Sequence, residues 1–197
     1  EHEAVESSPD LRREYAQDNE RIIIHMSNFR PVKRILDIIE VFARVQPAVA
    51  SKLILLGDGP ERSRAEQKCR ELNIAEHITF VGNLKQPQEL LSIGDLFILP
   101  SESESFGLAA LEAMASGLPV ISTNTGGLPE VNRHGVTGMM SDVGDIEDMV
   151  KNCIYLLEDS NRLSKFKSQA IRRAKDFSID KILPLYEQLY QKVITHE

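Results

Sequence analysis

The sequence contains no tryptophan and only two cysteines, Cys69 and Cys153, in 197 residues. The cysteines have neither CxxC nor metal-ligand spacing, which argues against a zinc site and favours free thiols in a reducing compartment. No apolar run reaches the roughly 18 residues that a membrane helix requires. We therefore expect a cytoplasmic protein without a membrane span.

Positive charge is scarce as well. The formal net charge is −7 at pH 7, and no basic stripe with interleaved aromatic residues appears, so nucleic acid is not an expected partner. A chain of this length with 42% hydrophobic residues can bury one core, which predicts one domain with a tail. The polar, acidic segment 1–20 is typical of an inter-domain linker within a longer protein.

Several familiar site motifs are missing. The loop after the first predicted strand contains no glycine, so a GxGxxG dinucleotide site is excluded, and no GxxxxGK[ST] phosphate loop occurs. Ser103 and Ser105 lie in no GxSxG elbow, which argues against a serine nucleophile. The five histidines are scattered, and His25, within an apolar strand, is interpreted as a buried structural residue rather than a base.

From residue 21 onward, strand patterns alternate with helix patterns. We predict strands at 21–27, 52–56, 78–81, 95–100, 120–123 and 137–140. Helices are predicted from Val32 to the stop at Pro47, from Pro60 to about Asn73, and from 146 onward. This alternation indicates an α/β fold, a doubly wound, mostly parallel sheet of about six strands with helices on both faces. Ligands bind such sheets at the carboxyl ends of the strands, so the loops after the first four strands should line one crevice.

Two glutamates flank the start of a helix predicted at 106–116. Glu104 lies in the preceding loop, where unpaired helix N–H groups favour phosphate or sugar oxygens. Glu112 is the only charge inside a helix whose other residues are small or apolar, so we expect a largely buried carboxylate that needs donors, such as ribose hydroxyls. The alternative for each is ordinary capping or a solvent-facing position.

Three cations, Arg30, Lys33 and Arg34, follow the first strand at a predicted helix N-terminus. Cations there oppose the helix dipole, so an acidic chain is expected to use some of them on an anion such as a diphosphate. For Arg34 the alternative is simple exposure to solvent. Gly82, with Val81 beside it, either presents backbone groups to a base edge or forms a plain turn.

These motifs resemble the donor-binding half of retaining GT-B glycosyltransferases of family 4. The resemblance rests on four strings: Glu104-Ser105-Phe106-Gly107 with Glu112, Gly57-Asp58-Gly59-Pro60, the loop ending in Lys33, and Gly126-Gly127-Leu128-Pro129-Glu130. It implies a Rossmann-like nucleotide-sugar domain over 21–177, a UDP-sugar substrate, no metal, and a helix at 178–197 that crosses back to an N-terminal half.

The resemblance assigns Lys33 to the donor phosphates and Glu104 to the transferred sugar, which makes these two the predicted catalytic residues. The predicted donor-binding residues are Asn28, Arg30, Lys33, Val81, Gly82, Glu104, Ser105, Phe106, Gly107, Leu108 and Glu112. Many family members have Gly-Arg where this chain has Ser27-Asn28. Asn28 thus occupies the usual position of a phosphate-binding arginine, and whether Arg30 supplies the charge stays open.

The longer string from His25 to Arg34 is similar to a branch of the family that transfers N-acetylglucosamine from UDP-GlcNAc to L-malate. This implies a small acceptor bound through an N-terminal half. Homo-oligomerisation is left open by the sequence. Two alternatives also stay open: another GT-B sugar-nucleotide enzyme, such as an epimerase or a transferase with a different hexosyl donor, and a non-catalytic α/β interaction module.

Overall fold

The computed structural model describes residues 9–194 as strands that alternate with helices. The strands are β1 (Arg21–Met26), β2 (Ser51–Leu56), β3 (Ile78–Gly82), β4 (Leu96–Leu99), β5 (Val120–Thr123) and β6 (Gly138–Ser141). The helices are α1 (Pro9–Tyr15), α2 (Ile35–Val45), α3 (Arg62–Glu71), α4 (Gln88–Ser92), α5 (Leu108–Ala115), α6 (Leu128–Val131), α7 (Ile146–Leu157), α8 (Ser160–Ala174) and α9 (Ile179–Ile194).

The strands form one sheet in the order β3-β2-β1-β4-β5-β6, and every neighbouring pair is parallel. The register of the central pair runs from Arg21 opposite Ser51 to Met26 opposite Leu56. The strand order reverses between β1 and β4, which creates the crevice where doubly wound sheets bind ligands. The predicted six-stranded α/β fold is confirmed.

Helices cover both faces of the sheet and give it two apolar cores. Ile23 of β1 packs into one cluster with α2 and α7, whereas Ile22 and Ile24 pack into the other with α5 and α8. This follows from the alternation of side chains along a strand. Because the four inner strands, β2, β1, β4 and β5, are buried on both faces, they are largely apolar runs, which is why the sequence predicts them well.

Part of the predicted linker 1–20 is folded onto the domain. Helix α1 begins at Pro9, and Arg12 donates to Asp95 Oδ2 at 2.8 Å and to the Glu20 carbonyl at 2.9 Å. Burial raises the pKa of Asp95, but Lys167, the Ile22 N–H and Arg12 together outweigh it and leave that pKa below its ordinary value. The remaining linker residues, 1–8, lie outside the described part of the chain.

The C-terminal segment forms a helix as the sequence predicts. Helix α9 spans Ile179–Ile194, and residues 195–197 of the predicted crossing segment lie outside the described residues. The described helix exposes apolar side chains at Ile179, Leu183, Tyr186 and Tyr190. No helix within residues 9–194 combines the length and the apolar composition that crossing a membrane requires.

Several helix starts differ from the sequence-based prediction. The helix expected from Val32 is interrupted, because Pro31–Lys33 forms a 3₁₀ turn, Arg34 takes a left-handed φ of 52°, and α2 begins only at Ile35. The helix expected from Pro60 begins at Arg62. The first difference matters for the site, because the interruption places Lys33 in a turn ahead of α2 rather than inside its first turn.

Candidate functional site

The loops that follow β1 and β4 meet at the crevice between these strands. The Glu102 N–H donates to the Val32 carbonyl at 2.8 Å, which ties one loop to the other. Lys33 Nζ lies 2.5 Å from Glu104 Oε1, although the two residues are 71 positions apart in the sequence. Their side chains are only 20% and 12% exposed. The two predicted catalytic residues therefore form an ion pair at the predicted place.

Ser101, which the sequence analysis does not single out, orients Glu104. The serine is fully buried, and its Oγ donates to Glu104 Oε1 at 2.8 Å. Its own carbonyl accepts a hydrogen bond from Thr123 Oγ1 on β5 at 2.6 Å. Since Oε1 accepts from both Ser101 and Lys33, Oε2 is the carboxylate oxygen left for a ligand. The available signal was a serine directly after the buried strand, three residues before the glutamate.

His25 connects β4 to the loop after β1. Its Nδ1 lies 2.8 Å from the Ile98 carbonyl oxygen, and its Nε2 lies 2.7 Å from Ser27 Oγ. A carbonyl can only accept, so Nδ1 carries the proton and Nε2 accepts from the Ser27 hydroxyl. Burial lowers the pKa of His25 to about 4, against the Ile98 hydrogen bond and with the help of the Lys33 charge. The ring is thus a neutral structural residue, as interpreted from the sequence.

Two of the predicted anion-binding residues lie exposed in this loop. Asn28 and Arg30 flank Phe29, which is fully buried and holds a left-handed φ of 38°. Arg30 side-chain nitrogens make no hydrogen bond or ion pair with the described residues. Arg34, by contrast, pairs with Asp37 at 2.7 Å. Arg30 is therefore a candidate for an anionic ligand because its side chain has no partner among the described residues, and Lys33 stays a candidate because its partner Glu104 lies with it in the crevice.

Two glycine-containing turns pack against the backbones of the loops after β1 and β4. A Cβ on Gly57 would lie 1.8 Å from the Ser27 carbonyl oxygen, and one on Gly126 would lie 1.9 Å from the Glu104 carbonyl oxygen. The Gly127 N–H also donates to that Glu104 oxygen at 2.9 Å. Only glycine allows backbones to approach this closely. Both glycine motifs of the sequence thus act as backbone supports for the site.

Helix α5 follows the loop that contains Glu104, so its N-terminus lies at the carboxyl ends of the strands. Gly107 caps it with a left-handed φ of 90°, and the first N–H groups of a helix have no acceptor within it. Packing on the sheet buries Ala110, Ala113 and Met114, as expected for a largely buried helix, whereas Leu108 is 65% exposed and Glu112 is half-buried. The Glu112 carboxylate receives no hydrogen bond from the described residues.

The remaining predicted residues lie around this centre. Ser105 is exposed, and Phe106 is half-buried with its ring 5.7 Å from that of Phe177 in an edge-to-face contact. Val81 and Gly82 end β3 at the edge of the sheet, where the Gly82 carbonyl accepts from the Gly57 N–H at 2.8 Å. The structure places these two on the carboxyl side of the sheet but brings them into no contact with Lys33 or Glu104.

The described residues show no grouping of possible metal ligands. Within residues 9–194, no cluster of three or more His, Cys, Asp or Glu side chains has the geometry to hold a metal ion. The charges at the site are instead those of the Lys33–Glu104 pair, the exposed Arg30 and the half-buried Glu112. Such a set can bind an anion at the cations and hydroxyl groups at the carboxylates.

Comparison with known proteins places this arrangement in a family. The model of the family described as glycosyl transferases group 1 matches residues 7–173. The chain is 42% identical over 187 residues to N-acetyl-alpha-D-glucosaminyl L-malate synthase of Bacillus anthracis, covering 93% of this chain and 49% of that enzyme. It is 31% identical over 169 residues to D-inositol 3-phosphate glycosyltransferase of Thermobispora bispora, covering 80% and 40%.

Solved structures share the fold. Sucrose-phosphate synthase from Thermosynechococcus elongatus superposes with a TM-score of 0.86 at 26% identity, over 98% of this chain and 50% of that one. Anabaena HepE in complex with UDP gives 0.84 at 25% identity, over 96% and 54%. The chain thus spans about half the length of these relatives. Since the family model covers most of its residues, this chain belongs to the glycosyl transferases of group 1.

Proposed function

We propose that this chain is the donor-binding half of a retaining glycosyltransferase that uses UDP-GlcNAc and, joined to an N-terminal half, transfers N-acetylglucosamine to L-malate. The observation that carries the proposal is the Lys33–Glu104 pair, which places a cation and a carboxylate together where the strand order reverses. The choice of sugar and acceptor draws on the similarity to the Bacillus anthracis enzyme.

Lys33 binds the donor diphosphate in this proposal. As the bond between sugar and phosphate breaks, negative charge grows on the departing UDP, and a fixed ammonium stabilises it. Arg30 adds a second charge that is exposed in the same loop, in place of the arginine that Asn28 replaces. The free N–H groups of α5 contribute without any side-chain charge. No metal is required by this set of groups.

The two glutamates hold hydroxyl groups of the donor. Glu104 Oε2 is open to a hydroxyl of the transferred sugar, because Oε1 is already occupied by Ser101 and Lys33. Glu112 is half-buried without a donor from the described residues, and ribose hydroxyls would satisfy it. Ser105 to Leu108 would supply backbone groups to the sugar and phosphate, and Val81 with Gly82 would meet the base.

The acceptor belongs to the other half of the protein. The chain covers 49% of the Bacillus anthracis relative, so we assign the acceptor site to a preceding N-terminal half, reached through segment 1–20. Residues 21–177 are the proposed donor domain. Segment 178–197 returns to the N-terminal half, and the exposed apolar side chains of α9 are the proposed contact surface. The malate hydroxyl would attack the anomeric carbon from the same face as the departing UDP: the new carbon–oxygen bond forms as the bond to the UDP phosphate breaks, and the hydroxyl proton passes to the departing phosphate oxygen.

Calorimetric titration of this chain with UDP-GlcNAc, UDP-glucose and UDP tests the donor proposal. Removing a charge-assisted contact costs about 1.5–3 kcal/mol, so Lys33→Met should weaken UDP binding by about tenfold or more. Glu112→Gln should weaken it as well, whereas Glu89→Gln, an exposed carboxylate on α4, is the matched control and should not. A chelator should leave all affinities unchanged.

Two results would contradict the proposal. If Lys33→Met and Glu112→Gln both bind UDP as tightly as the parent, the nucleotide binds elsewhere. If the parent does not bind UDP at all, a non-catalytic interaction module is favoured. In the longer protein, UDP release should depend on L-malate and yield a glycoside. Release of UDP with an altered free sugar and no acceptor would instead identify an epimerase.

A further inference from the structure

The central strand contains a histidine at a position where its neighbours are isoleucines. Ile22, Ile23, Ile24 and His25 are all buried, and the His25 ring lies between those of Phe29 and Phe97, with centroids 6.2 and 6.3 Å away. An apolar side chain could fill this space, whereas an imidazole must find partners for two nitrogens to avoid a desolvation cost. Both nitrogens have partners here.

The partners give the hydrogen bonds a fixed direction. Nδ1–H donates to the Ile98 carbonyl on β4, which leaves the Nε2 lone pair to accept the Ser27 hydroxyl proton. The Ser27 oxygen can then accept from the Phe29 N–H at 3.3 Å. A proton on Nε2 would prevent it from accepting the Ser27 hydrogen bond. The pKa of about 4 keeps the ring neutral near pH 7. The chain of bonds runs from β4 into the loop after β1.

That loop adopts a conformation that its sequence alone does not favour. Phe29 has a φ of 38°, which is uncommon for a bulky side chain and requires support from its surroundings. The Ser27 hydroxyl supports it from one side, and from the other the Gly57 backbone approaches the Ser27 carbonyl so closely that no Cβ would fit. Lys33 N–H donates to the Arg30 carbonyl within the turn that follows.

We propose that His25 and Ser27 are a positioning pair for the donor site: the imidazole orients the Ser27 hydroxyl, the hydroxyl holds the Phe29 amide, and the loop so held presents Asn28, Arg30 and Lys33 to the donor diphosphate. This inference rests on the proposed function. Neither residue of the pair touches the donor, and their effect on it is transmitted only through the loop backbone.

Calorimetric titration of the chain with UDP tests the pair. Ser27→Ala leaves the Phe29 N–H and His25 Nε2 without a partner. Loss of the one bond that holds the Phe29 amide corresponds to about a fivefold weaker UDP affinity. Ser51→Ala is the control, because Ser51 is a serine at the start of the neighbouring strand β2, and its buried hydroxyl has no partner among the described residues. It should leave UDP affinity unchanged.

Two substitutions of the histidine separate positioning from packing. His25→Asn and His25→Gln both remove the ring, but only the longer Gln amide reaches the place of Nε2 and can accept from Ser27. We expect His25→Gln to bind UDP within about twofold of the parent and His25→Asn to bind like Ser27→Ala, about fivefold more weakly. Amide resonances of residues 28–30, 32 and 33 should shift in Ser27→Ala and His25→Asn but not in Ser51→Ala.

The outcomes separate the two proposals. If the parent chain does not bind UDP, the proposed function is overturned, and this inference falls with it. If the parent binds UDP and Ser27→Ala binds it equally well, or if His25→Asn and His25→Gln are indistinguishable, the positioning pair alone is overturned. Urea unfolding of each variant identifies any loss of affinity that merely follows a loss of fold.

Discussion

Lowering the pH should destabilise this fold through His25. The pKa of this imidazole is 6.5 in the unfolded chain and about 4 in the folded one. Between these values the unfolded chain takes up a proton that the folded chain refuses, so the free energy of unfolding falls as the pH falls. Above about pH 6.5 neither state binds the proton and the stability is at its full value, and below about pH 4 the loss is complete.

The size of the effect follows from the two pKa values. Going from about pH 7.5 to about pH 5 should lower the free energy of unfolding by about 2 kcal/mol for this one group. Since His25 is fully buried, solvent screening does not reduce this value. Other groups that titrate in the same interval add to the total, so the effect must be measured as a difference between variants.

Urea unfolding of the parent and of His25→Gln at the two pH values isolates the contribution of His25 to the free energy of unfolding. The parent should lose about 2 kcal/mol more than His25→Gln between about pH 7.5 and about pH 5. His134→Gln is the matched control, since this histidine is exposed, and it should behave like the parent. An equal loss in the parent and in His25→Gln would show that the ring is protonated in the fold, which would also remove the acceptor that Ser27 needs.

Three further perturbations test individual contacts. Asp95→Ala leaves three basic side chains without their shared carboxylate and should cost about 3 kcal/mol in urea unfolding, unlike the exposed Asp10→Ala. Gly57→Ala forces a Cβ within 1.8 Å of the Ser27 oxygen, so it should cost about 2 kcal/mol or more and weaken UDP binding; a stable variant with parental affinity would contradict this. Ser101→Ala releases Glu104 and should weaken UDP-GlcNAc binding several-fold in calorimetry while leaving UDP alone unaffected, so an equal loss for both ligands would refute the role of Ser101.

The sheet could be predicted almost residue by residue, whereas the helix starts could not. Strands buried on both faces are apolar runs with clear ends, and the prediction of 120–123 agrees with β5. The start of α2 depends on Arg34 taking a left-handed conformation, which nothing in the residue type favours. Helix α1 could not be predicted from its polar sequence, because Arg12 attaches it to the domain through Asp95, which lies 83 positions away.

In the site, too, some contacts could be predicted from the sequence and others could not. Contact between Lys33 and Glu104 could be expected because a parallel sheet brings the carboxyl ends of neighbouring strands together. The hydrogen bonds of Ser101 and of His25 with Ser27 could not, since they depend on side-chain directions that sequence spacing does not specify. The exposure of Leu108 on α5 could not be predicted for a related reason, because a helix of alanines and leucines does not reveal which of its faces the sheet will cover.

In the proposed donor site, Lys33 is the cation through which a chain of net charge −7 would meet a diphosphate, and Glu104 holds it in place. Each loop is held by a glycine turn on one side and by a hydrogen-bond chain from the sheet on the other, so the cation and the carboxylate are fixed before any ligand arrives. Fixed groups lose little freedom on binding and stabilise charge without reorganising. When a phosphate engages Lys33, the ammonium shares its charge between two anions, and Glu104 becomes a stronger acceptor for a sugar hydroxyl. Binding of the phosphate and binding of the sugar should therefore reinforce one another. The binding free energy of the intact sugar nucleotide should then exceed the sum of those of UDP and the free sugar.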